Sequence, residues 1–85
     1  MGLTDLPNVG RVLAGNLDAV AVHTPEQLRQ LGSKDAFIRI RAAVDSGACL
    51  HMLYGLQGAI EGVPDSQLSD ATKDNLRCFY RDLQV

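Results

Sequence analysis

Eighty-five residues, 46% of them apolar, support one globular domain with a modest core. Eight basic against ten acidic residues leave a formal charge of −2, which excludes the focused positive field of a strong nonspecific nucleic-acid binder. No apolar run approaches the roughly 18 residues of a membrane span, and two cysteines are too few for a disulfide scaffold.

The N-terminus MGLTDLPNVG has neither the basic segment nor the apolar core of a signal peptide. Gly2 is followed at position 6 by leucine rather than by the serine or threonine that myristoylation prefers. A cytoplasmic location is the expectation. Cys49 and Cys78 are accordingly expected to be reduced, buried small hydrophobes within helices.

In chain order, Pro7 stops any helix before it and Asn8 is a good N-cap residue. Val9, Val12, Leu13, Leu17 and Val20 then recur on one helical face, predicting a first helix from about Val9 to Val20. After a turn holding His23, Thr24-Pro25-Glu26-Gln27 reads as a helix start: threonine caps, proline takes the first helical position, and Gln27 closes a capping box. That short helix ends at Gly32, which suits a left-handed cap, and Ser33 is expected to cap the next one. Phe37, Ile40 and Val44 form the core face of this third helix, with Ala36 and Ala43 on its flank. Asp45-Ser46-Gly47 then breaks the chain.

The segment Ala48 to Gly62 reads as the central, buried helix. At roughly 100° per residue, Cys49, Leu53, Leu56 and Ile60 make a large apolar stripe, with Ala48, Met52, Gly55, Ala59 and Gly62 beside it as a smaller one. Two apolar faces imply neighbours on two sides. Glycine inside a helix costs about 0.5 to 1 kcal/mol against alanine, so Gly55 and Gly58 imply a close backbone approach, most simply by another helix. Gly62-Val63-Pro64 ends this helix, and Ser69 caps a last one carrying Leu76, Phe79, Tyr80 and Leu83 at helical spacing. No strand pattern or repeat is present. The expected fold is all-α: a compact five-helix domain spanning residues 1–85, whose N-terminal half has helix-hairpin-helix character.

Two candidate sites follow. The turn Pro7 to Gly10 opens a helix with Arg11 in its first turn, and free N–H groups at the positive end of a helix can hold a phosphate. The backbone N–H groups of Val9 and Gly10 with the Arg11 guanidinium are therefore the candidate DNA-backbone donors. Asp5 and Asp18 flank them with opposing charge, so DNA binding is expected to be weak. On the third helix Ile38 points away from Phe37 and Ile40, and with Arg39 and Ala42 it forms a candidate partner surface. Lys73, Arg77 and Arg81 make a basic row on the last helix, but Asp70, Asp74 and Asp82 are interleaved with it, the pattern of a salt-bridged solvated face.

Catalytic chemistry has no foothold. Cys49 and His51, two positions apart, would point about 200° apart on a helix and cannot serve as neighbouring metal ligands. His51 is expected at the border of the buried face, and His23 stands alone in a turn. CxxC, HExxH, a phosphate-binding glycine loop and GxSxG are all missing. No catalytic residue, metal or cofactor is expected.

The stretches LPNVGRVLAGNLDAVAVHTPEQLRQLG, AFIRIRAA and GACLHMLYGLQGAIEGV resemble, in order and spacing, the C-terminal domain of the TfoX (Sxy) family, bacterial regulators of natural competence. The resemblance runs from about Leu3 to Leu83 and is most specific in LPNVG, HTPEQLRQLG and GACLHMLYGLQGAI. In full-length members this domain follows an N-terminal α+β domain, and the whole protein is a positive regulator of DNA-uptake genes acting with the cyclic-AMP receptor protein at promoters. The resemblance implies a free-standing regulatory or adaptor module that works through a protein partner, either a regulator or the transcription machinery. It carries over no catalytic residue.

Overall fold

The computed structural model describes residues 2–84 and contains five α-helices, with no strand among the described residues. They are α1 (Arg11–Ala19), α2 (Pro25–Leu31), α3 (Ser33–Ala43), α4 (Leu50–Glu61) and α5 (Asp70–Leu83). Short 3-10 turns lie at Leu3–Asp5 and Asp65–Gln67. The all-α, five-helix expectation is met, and the molecule measures 33 × 27 × 20 Å.

Local chemistry sets the element ends. Thr24 Oγ1 accepts from the Gln27 N–H at 3.1 Å while Gln27 Oε1 accepts from the Thr24 N–H at 3.2 Å, the reciprocal capping box expected there. Ser69 Oγ accepts from the Thr72 N–H at 3.1 Å and starts α5. At the end of α4, Gly62 takes φ +79°, and the Val63 N–H reaches back to the Gly58 carbonyl at 2.9 Å. The end of α1 has the same form without a glycine. Ala21 stands at φ +67°, and the Val22 N–H bonds the Leu17 carbonyl at 2.9 Å. Val22 and Leu17 are both buried, which is the apolar contact that accompanies this motif.

Two caps differ from expectation. Asn8 does not cap α1: it lies at φ +68°, outside the helix, and Gly10 is the N-cap residue, so α1 starts at Arg11 and Val9 belongs to the preceding turn. Ser33 is the first residue of α3 rather than its cap. Its hydroxyl donates to Gln57 Oε1 at 2.6 Å, spending the group on α4 instead of on the helix start, and Gly32 takes the cap position at φ +89°.

The central position of α4 holds. It packs against α2, α3, α5 and the turn Asp65–Gln67, while α3 also meets α1 and α2. Leu53 and Leu56 are fully buried with Leu17, Leu28, Phe37 and Ile40, and each such side chain removes apolar surface equivalent to about 1.5–3 kcal/mol. Phe37 meets Tyr80 of α5 edge-on, with centroids 5.9 Å apart and planes at 64°. Ser33 at the start of α3 reaches Gln57 near the end of α4, and Arg41 at the end of α3 donates to the Leu83 carbonyl at the end of α5. Thus α3 and α5 run together, with α4 antiparallel to α3.

Five side chains depart from the expected burial. Val12 is 79% exposed and Val44 is 44% exposed, although both fall on the periodic apolar face. Val44 is the residue that closes α3, where the chain turns away from the core toward Asp45. Cys49 and Cys78 are exposed, Cys49 because α4 starts one residue after it and leaves it as the N-cap. His51 is exposed too, its ring drawn outward to the Asp65 carboxylate at 3.3 Å.

Candidate functional site

The N-terminal turn is held to the core by the buried side chains of Leu3, Leu6 and Val9 and by the hydrogen bonds of one polar side chain. Asn8 Nδ2 donates to the Gly55 carbonyl at 3.3 Å and to the Val63 carbonyl at 3.0 Å, and its Oδ1 accepts from the Asp65 N–H at 3.1 Å. This ties residue 8 to the middle of α4 and to the loop that leaves it. It also accounts for the glycines of α4, and corrects the expectation that a second helix approaches them. A Cβ on Gly58 would lie 2.5 Å from Asn8 Nδ2 and 2.7 Å from the Val63 carbonyl oxygen, and one on Gly55 would touch Asn8 Cβ at 3.5 Å. The visitor is a turn and a loop. Asn8 can take the left-handed backbone this requires because short polar side chains tolerate it best after glycine.

This clasp fixes the predicted phosphate donors. Val9 is buried, and its N–H donates within the turn to the Leu6 carbonyl at 3.4 Å. Gly10 is exposed in extended conformation, and Arg11 is exposed as the first residue of α1. The first bond of the α1 ladder runs from the Ala14 N–H to the Gly10 carbonyl, leaving the N–H groups of Arg11, Val12 and Leu13 outside it. No acid stands in the first turn of α1, and no side chain caps it. The first turns of α2, α3 and α5 carry Glu26, Asp35 and Asp70.

The second predicted surface lies elsewhere. Ile38, at 39% exposure, Arg39 and Ala42 are exposed together on the outer side of α3. Arg39 also borders a shallow polar cleft with Gln27 and Gln30 of α2. Neither Arg39 nor Arg11 enters an ion pair among the described residues.

Two of the three bases in the row on α5 are paired as the interleaved acids suggest: Arg77 meets Asp74 at 3.0 Å and Arg81 meets Asp82 at 3.8 Å. The Tyr54 hydroxyl, with the Asp74 carboxylate adding to it, pushes Arg77 above its ordinary value. Lys34 lies 5.3 Å over the Phe79 ring, a cation–π contact that draws it toward α5 and away from the Ile38 face.

Sequence reasoning missed a groove of about 360 Å³ between α1 and α4. Val12, Leu13, Met52 and Gly55 give it an apolar floor, with Asn8, Asn16, His51 and Asp65 at its polar edges. The signal was present in Asn16, one turn after Val12 on the same face, which marks that stripe as bordering solvent. No group of three His, Cys, Asp or Glu side chains among the described residues is placed to hold a metal ion. No helix among them is long and apolar enough to cross a membrane.

Residues 1–80 match the family model of the TfoX C-terminal domain. Two solved structures share the fold. One, an uncharacterized protein from Listeria monocytogenes in a triclinic crystal form, is 39% identical, with a TM-score of 0.96 over 99% of this chain and 94% of that one. The other, a protein of unknown function from Listeria monocytogenes in a tetragonal form, is 41% identical, with a TM-score of 0.92 over 95% and 98%. No curated protein matches the chain.

Proposed function

Because the chain belongs to the TfoX C-terminal domain family, we propose that it is a non-enzymatic regulatory module of bacterial competence, working in the cytoplasm by contact with a protein of the transcription apparatus. The family match over residues 1–80 carries this reading. The contact surface is the outer face of α3, where exposed Ile38 and Ala42 flank Arg39. Arginine is among the residues that interfaces enrich, and Arg39, which has no ion pair among the described residues, stands here beside exposed apolar surface. The test is Ile38→Asp, with two readouts. The melting temperature is expected to hold within a few degrees, because exposed substitutions usually cost under about 0.5 kcal/mol. Capture of RNA polymerase subunits or a promoter-bound regulator from native extract should be lost. Unchanged capture by a folded Ile38→Asp variant would remove this face from the reading.

A second reading is supported by the uncapped, acid-free start of α1: direct contact with a DNA backbone through Gly10 and Arg11, the expected third donor, Val9, being buried with its N–H turned to the Leu6 carbonyl. A net charge of −2 argues against tight binding, since nonspecific affinity comes nearly all from phosphate neutralisation. Fluorescence anisotropy with a labelled duplex should show little or no complex near 150 mM salt. Whatever binds at low salt should disappear with Arg11→Glu and survive Lys73→Glu. A micromolar complex that persists near 150 mM salt would promote this second reading over the first.

A further inference from the structure

We draw no further inference here: the strongest candidate, the apolar groove between α1 and α4 floored by Val12, Leu13, Met52 and Gly55, carries nothing because no feature of the structure shows what covers it.

Discussion

Asn8 makes three hydrogen bonds to main-chain groups of the α4 region while paying for a left-handed backbone, so it combines a gain and a cost that substitutions can separate. Each bond contributes about 0.5–1.5 kcal/mol net, and the left-handed conformation costs an ordinary residue about 1–2 kcal/mol. Asn8→Ala removes the bonds and keeps the strain. It should destabilise by about 2 to 4 kcal/mol, or roughly 8 to 30 °C in melting temperature for a domain of this size. Asn8→Gly removes the same bonds but relieves the backbone, and should therefore be milder than the alanine variant by about 1 kcal/mol. Equal melting temperatures for the two variants would show that the positive φ at residue 8 costs nothing. That asparagine is needed in the turn was legible in the sequence, but its role was misassigned. An asparagine before an apolar run fits an N-cap and a left-handed turn equally well, and only the presence of Gly55, Gly58 and Val63 beside it in space decides between them.

At the scale of the element, α4 shows what helical periodicity can and cannot predict. Leu53 and Leu56 of the large stripe and Gly55 and Ala59 of the smaller one are buried as the spacing requires, because those positions face neighbours on both sides, while Ile60 near the helix end is half-buried. Periodicity failed at the ends, for Cys49, His51, Val12 and Val44, where a side chain can satisfy the pattern and still project past the last neighbouring element. Gly55 and Gly58 were recognised as sites of close approach, yet no wheel diagram can tell a helix from a turn as the approaching body. Two kinds of damage to α4 follow from this packing. Leu53→Ala and Leu56→Ala should each cost about 2 to 5 kcal/mol by leaving a cavity in the core. Gly58→Ala should destabilise through overpacking, by about 1 to 3 kcal/mol, since one of the atoms it meets is main-chain oxygen that cannot rotate away. Urea titrations of the three variants give these values directly. A Gly58→Ala midpoint equal to that of the parent would mean that the turn and loop yield without cost.

Taken as a whole, the molecule spends most of its charge on itself. Helices α2, α3 and α5 each begin with an acid and end with a base: Glu26 and Arg29, Asp35 and Arg41, Asp70 and Arg81. Each such charge complements a helix dipole, contributing about 0.3–1 kcal/mol at low salt. Arg11 at the start of α1 and Arg39 on the outer side of α3 belong neither to this arrangement nor to an ion pair among the described residues, which is why those two residues anchor the two functional readings. The layout also orders events in time. Helices α1 to α4 meet neighbours close in the chain, whereas the Asn8 bonds span 47, 55 and 57 residues and are the longest-range side-chain hydrogen bonds among the described residues. Closing a loop of that length carries an entropic cost of about (3/2)RT ln n that is repaid only when its distant partners are already in place. Residue 8 should therefore dock after the rate-limiting barrier is crossed. In stopped-flow chevrons, Asn8→Ala should accelerate unfolding and leave the refolding limb nearly unmoved, giving a φ-value near zero, while Leu53→Ala slows refolding. An Asn8→Ala effect carried mainly by the refolding limb would place the N-terminal turn inside the folding nucleus. With late docking, the first ten residues act as a bolt shot home on a finished frame, so slow unfolding of this small domain depends more on its N-terminal turn than its speed of folding does.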